Sequence, residues 1–105
     1  MPKPDSQLRQ TSAVQEDYLK ALHRLSGGDE ELIVPTSQLA EELEVTPGSV
    51  SEMLGKLASL KLAVHYPYRG AKLTRAGLDV ALEMIRHHRL IETYLVQALG
   101  YRWDE

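Results

Sequence analysis

The stretch PTSQLAEELEVTPGSVSEMLGKLASLKLAVHYPYRGAKLT, running from Pro35 to Thr74, reads as one continuous device. Thr36 opens a short helical pattern through Leu39, Ala40 and Leu43, and Glu44-Val45-Thr46-Pro47-Gly48 breaks it. A second amphipathic helix is predicted from Ser49 to Leu62, with Val50, Met53, Leu54, Leu57 and Leu60 on its apolar face. Two short extended runs follow, Ala63 to Tyr66 and Ala71 to Leu73, separated by Pro67-Tyr68-Arg69-Gly70. Helix, tight turn, helix and hairpin make a winged helix-turn-helix, whose second helix is shaped to enter a major groove. Gly70 allows the positive φ that a tight hairpin needs.

Outward from that stretch the pattern is helical. Ser12 and Gln15 form a predicted capping box for a helix carrying Val14, Tyr18, Leu19, Leu22 and Leu25, which Ser26-Gly27-Gly28 ends. Asp29-Glu30-Glu31 reads as a solvated loop, and Leu32-Ile33-Val34 as a short strand pairing with the wing. Thr74 is the predicted cap of a long helix on Leu78, Ala81, Leu82, Ile85, Leu90, Tyr94, Leu95 and Ala98, with Gly100 as its stop. The expected fold class is mainly α with a small β-wing. A flexible arm covers residues 1–11, the winged helix-turn-helix 12–74, and the start of a helical dimerisation and metal-binding domain 75–105. Tyr101 to Glu105 resembles the opening of a further helix, so the chain is expected to be a fragment.

Composition narrows the function. With 105 residues the chain is one small domain or part of one, and with no cysteine it has neither disulfides nor a thiolate zinc site. No apolar run approaches the roughly 20 residues that span a bilayer, and Met1 to Asp5 lacks a signal-peptide core, so a cytoplasmic location is expected. The net charge of −3 is unevenly distributed: residues 46–75 hold Lys56, Lys61, Arg69, Lys72 and Arg75 against Glu52 alone, a local +4. A polyanion responds to that local field more than to the sum. The absence of a cysteine nucleophile, a glycine-rich phosphate loop and a recognisable acid–base carboxylate pair argues against an enzyme.

Thr46, Pro47, Ser49, Ser51 and Glu52 lie at the start of the second helix, where side chains face base edges or simply cap the helix. Lys56, one turn on, suits a phosphate. Thr36, Ser37 and Gln38 open the preceding helix, whose N–H groups can grip phosphate. Tyr68 and Arg69 form the wing tip, placed to run along double-stranded DNA. On the long helix His88 and Glu92 are four apart and share a face, so imidazole and carboxylate can hold one ion or merely bond each other. Glu16-Asp17-Tyr18 on the first helix adds a carboxylate able to converge on them. Oxygen and imidazole donors without thiolate suit manganese or ferrous iron better than copper(I). His23, His65 and His87 are assigned structural or surface roles.

Glu16-Asp17-Tyr18-Leu19-Lys20, Thr36 to Ala40, Val45 to Leu54, Tyr68-Arg69-Gly70 and His87 to Glu92 together resemble the diphtheria-toxin-repressor family, which includes manganese transport regulators. The resemblance covers nearly the whole chain from about Ser12. It implies a homodimeric repressor of metal-uptake genes that binds palindromic operators when loaded with Mn²⁺ or Fe²⁺. It also implies metal-ligand positions at Asp17, His88 and Glu92. Lys20 stands where the manganese-type members carry a second first-helix acid. Asp17 replaces the methionine of the iron-type members, a harder donor that leans toward manganese. The rivals are a winged-helix regulator sensing an organic effector and a winged helix used only for protein–protein assembly.

Overall fold

A computed structural model describes residues 11–99. The first helix, α1 (Ala13–Ser26), starts as predicted: the Ser12 hydroxyl accepts from Gln15 N–H at 3.1 Å, and the Gln15 side chain returns to Ser12 N–H at 3.0 Å. Gly27, at φ 62°, ends it in the left-handed conformation. A two-residue strand, β1 (Val34–Pro35), leads into α2 (Thr36–Leu43), and the second helix of the predicted helix-turn-helix is α3 (Pro47–Ser59). The wing consists of β2 (Ala63–Tyr66) and β3 (Gly70–Leu73), and α4 (Arg75–Leu99) completes the chain. The class is mainly α with a small three-stranded antiparallel sheet, as the sequence predicts.

In the sheet, β3 lies between β1 and β2, pairing Val34 with Ala71 and Tyr66 with Gly70. Pro35 is tolerated because it sits in an edge strand, where the missing N–H leaves no ladder bond unmade. Gly70 is required twice over. Its φ is 147°, and a Cβ there would lie 1.9 Å from the Val34 carbonyl oxygen. The expected Leu32-to-Val34 strand is displaced to Val34–Pro35, leaving Leu32 46% exposed.

One core unites these elements: Leu19 and Leu22 of α1, Leu39 of α2, Leu54 and Leu57 of α3, Val34 and Ala71 of the sheet, and Val80 and Ala81 of α4. Truncating one of the fully buried leucines to alanine costs about 2–5 kcal/mol in such a setting.

Three expectations need correction. The second helix begins two residues earlier than predicted, because Thr46 caps it and Pro47 occupies its first turn. It also stops before Leu60, because Lys61 turns left-handed at φ 64°, so Leu60 emerges 44% exposed instead of packing. The apolar face of α4 is buried only near its start: Val80 and Ala81 are enclosed, while Leu82, Leu90 and Tyr94 are exposed. Val14, at helical spacing with the buried residues of α1, is exposed. The arm over residues 1–10, the Gly100 stop and the stretch 101–105 lie outside the described residues.

Candidate nucleic-acid interface and metal centre

The face of α3 opposite its buried Val50, Leu54 and Leu57 is open: Pro47, Ser49, Ser51, Glu52 and Lys56 are all exposed. At its leading end the Thr46 hydroxyl accepts from Ser49 N–H at 3.1 Å and lies 3.0 Å from Ser49 Oγ. Thr46 is therefore a helix cap in fact, and an exposed one. Capping orients the first turn of α3 outward with its remaining hydroxyls, Ser49 and Ser51, on the surface.

The wing meets the N-terminus of α2. Thr36 N–H donates to the Arg69 carbonyl at 3.3 Å, so one of the first-turn donors of α2 serves the wing, and Ser37 and Gln38 follow it exposed. The wing tip is a turn closed by Arg69 N–H to the Tyr66 carbonyl at 2.9 Å. Pro67 precedes Tyr68, whose φ is 66°. Proline followed by positive φ is a type II arrangement that normally selects glycine or asparagine. A fully exposed tyrosine in that conformation is strained, and no other described residue covers the ring. The Arg69 guanidinium lies over the Tyr66 ring, 5.8 Å from its centroid.

Charge in the folded chain differs from charge along the sequence. Glu31 reaches Lys72 at 3.4 Å and Glu30 reaches Arg75 at 4.0 Å, so the acidic loop covers two of the five cations assigned to the reading segment. Glu31 holds the Lys72 ammonium above its ordinary pKa, chiefly through their hydrogen bond. Lys56, Lys61 and Arg69 remain exposed. Glu30 and Glu31 are far from Lys72 and Arg75 in sequence, so composition alone did not reveal this screening.

The candidate metal ligands divide into a pair and a single residue. His88 Nε2 and Glu92 Oε2 are 3.3 Å apart on the exposed part of α4. Asp17 on α1 lies instead 3.7 Å from Lys20 Nζ. Among the described residues no three His, Asp or Glu side chains stand together as a cation site. The donors fit a hard or borderline divalent ion in kind, while two converging groups are too few to enclose one. Between α1 and α4 runs a groove of about 550 Å³, lined by Lys20, His23, Arg24, Leu82, Ile85, Arg86 and Arg89. No helix among the described residues is long and apolar enough to cross a membrane.

Comparison with known proteins agrees with this geometry. The iron-dependent-repressor N-terminal DNA-binding-domain family matches residues 10–71, and the metal-binding and dimerisation domain of iron-dependent repressors matches residues 74–105. The HTH-type transcriptional regulator MntR of Bacillus subtilis is 32% identical over 85 residues, covering 81% of this chain and 58% of that protein. The structure of ScaR with bound Zn²⁺ superposes with a TM-score of 0.71 at 36% identity, covering 84% of this chain and 40% of that one. The manganese regulator SloR gives a TM-score of 0.64 at 40% identity, covering 87% and 41%. The chain spans between 54% and 67% of the length of the curated relatives it matches. On the match over residues 10–71 and the identity to these regulators, the chain belongs to the iron-dependent-repressor family of metal-dependent, DNA-binding transcriptional regulators, which are not enzymes.

Proposed function

We propose that this chain carries the DNA-reading head and part of the metal sensor of a homodimeric repressor that binds palindromic operators of metal-uptake genes. The observation that carries the reading is the open face of α3 with its hydroxyl-bearing first turn, in a chain whose wing tip presents a strained, fully exposed tyrosine. Residues 12–74 act as the reading domain and 75–105 as the beginning of the dimerisation and metal-binding domain. Ser49, Ser51 and Glu52 face base edges, with Thr46 and Pro47 holding the first turn in shape. Lys56, Arg69, Ser37 and Gln38 contact phosphates, Thr36 ties the wing to α2, and Tyr68 lies along the sugar–phosphate backbone.

Asp17, His88 and Glu92 are the ligands this chain contributes, with the remaining ligands supplied from outside it. Mn²⁺ is favoured over Fe²⁺ by the carboxylate on α1. When bound, the ion ties α1 to α4. Lys20 competes with it for Asp17, as their 3.7 Å contact supports. The reading heads of a dimer must sit about 34 Å apart to enter successive major-groove turns. A tie that narrows the range of head positions raises operator affinity without adding any contact to DNA.

Operator affinity of the full-length protein, measured with and without Mn²⁺ or Fe²⁺, tests this directly. The expected tightening is about 5–150-fold, the usual range for coupled sites. Equal affinities refute metal control. One observation favours a second reading: the groove between α1 and α4 carries Lys20, His23, Arg24, Arg86 and Arg89 over apolar Leu82 and Ile85, a lining suited to an organic anion. Calorimetry with divalent ions on the full-length protein separates the two, since an anion sensor gives no heat of metal binding.

A further inference from the structure

The two family domains meet between residues 71 and 74, where a hinge between a reading head and a sensor helix would be expected. The chain builds the opposite there. At the end of α3, Lys61 N–H donates to the Ala58 carbonyl at 2.9 Å and Leu62 N–H to the Leu57 carbonyl at 2.9 Å. This paired pattern closes a helix around one left-handed residue, with Leu57 and Leu62 buried against each other's turn. The carbonyls of Lys61 and Leu62 are then left pointing away from α3.

Thr74 takes both. Its backbone N–H donates to the Leu62 carbonyl at 3.1 Å, and its hydroxyl donates to the Lys61 carbonyl at 2.8 Å. The same hydroxyl accepts from Gly77 N–H at 3.0 Å, and the Thr74 carbonyl accepts from Leu78 N–H at 2.9 Å, which starts α4. One residue thus ties down the turn that closes the reading helix and caps the long helix. Gly77 brings the two backbones into contact: a Cβ there would lie 1.8 Å from the Leu62 carbonyl oxygen and 2.9 Å from its carbonyl carbon. The wing leaves and returns at the same place, since Ala63 pairs with Leu73.

We propose that Thr74 and Gly77 are positioning residues that weld α3 to α4, so that the reading helix and the first part of the long helix turn as one body. Any motion that regulates DNA binding then occurs along α4 beyond Ala81, where the helix leaves the core, not at the domain junction. A hinge at residue 74 would require breaking two carbonyl bonds and a helix cap together, and the absence of a side chain at residue 77 leaves no slack between the backbones. The functional consequence, that a ligand gripping α4 is felt at DNA, rests on the metal-responsive repressor reading. The rigidity itself does not.

The test separates these. Residues 1–105 hold no cysteine, so with any cysteine elsewhere replaced by serine a pair of spin labels can be placed at Gly55→Cys on α3, where an added Cβ meets nothing within 4 Å, and at Asp79→Cys on exposed α4. Pulsed electron resonance on metal-free, DNA-free full-length protein should give one narrow distance in the otherwise wild-type protein and in Thr74→Ser. Thr74→Val and Gly77→Ala should broaden it while keeping a cooperative melt. A broad distribution without any further substitution overturns the weld, as does an unchanged narrow one in folded Thr74→Val and Gly77→Ala. In operator binding, the metal-induced tightening should drop below about threefold in those two variants and persist in Thr74→Ser, against the about 5–150-fold expected of coupled sites. Full tightening in the variants overturns the coupling role. A parent protein with no metal response refutes the repressor reading and leaves the distance result to judge the weld.

Discussion

Among the described residues, three non-glycine residues adopt left-handed backbone: Glu44, Lys61 and Tyr68. Each sits where a chain reverses, and each pays steric strain of about 1–2 kcal/mol that glycine would avoid. At Lys61 the strain has a structural use, because the reversal aims the Lys61 and Leu62 carbonyls at Thr74. Lys61→Gly keeps that geometry, and the relief should exceed the extra unfolded-state entropy of glycine, for a gain of about 0.5–1 kcal/mol. Urea denaturation measures it, and a loss of stability would mean that the lysine side chain holds the turn. The same residue explains why Leu60 was misread: helical periodicity continues through Lys61 in sequence, and neither glycine nor proline marks the reversal. Thr46 was legible in both its roles, since one hydroxyl at a helix start caps and faces outward at once. The left-handed Tyr68 was missed, although Pro67 before it is the signal of the turn that demands it.

The wing is the element whose contribution to DNA binding is easiest to isolate. Arg69 is exposed and its backbone, not its side chain, closes the turn. Arg69→Ala should therefore lower the melting temperature by only a few degrees, through loss of its contact with Tyr66, while it weakens binding across all sequences and flattens the salt dependence by about 0.9 per lost phosphate contact. An unchanged slope in titrations from low to high salt removes Arg69 from the interface. Helix ends and strand limits were readable to within a few residues because caps, turns and apolar spacing are local. The cover of Lys72 and Arg75 by Glu31 and Glu30 was not, because residues 41 and 45 positions apart meet only after folding. The loop acts as a tethered anion, so the reading segment offers DNA less charge than its composition promises.

For the molecule as a whole, α4 decides the shape. At 25 residues it is roughly 37 Å long, and only its first turns reach the core, packing on α1 and the sheet. The radius of gyration, 15.1 Å, exceeds the roughly 13 Å of a compact chain of this size. Leu90, Ile91 and Tyr94 are exposed at 62%, 45% and 68% along the part that stands clear. If that stripe faces a second copy, Leu90→Lys with Tyr94→Lys should convert the full-length protein from dimer to monomer in analytical ultracentrifugation, with residues 13–81 still folded. A dimer that persists places the partner surface elsewhere. The winged helix was legible from patterning alone, whereas the exposure of this stripe was not, since apolar spacing on a helix is the same whether it faces a core or a neighbour. His88 and Glu92 sit within that uncovered length. A helix covered on one side only over its first turns frays toward its far end, and whatever covers the rest also shapes the coordination geometry there. If His88 and Glu92 take the ion as proposed and the stripe pairs two copies, ion capture and subunit pairing draw on the same ordering step, so by mass action the apparent hunger for metal rises with the amount of protein the cell makes.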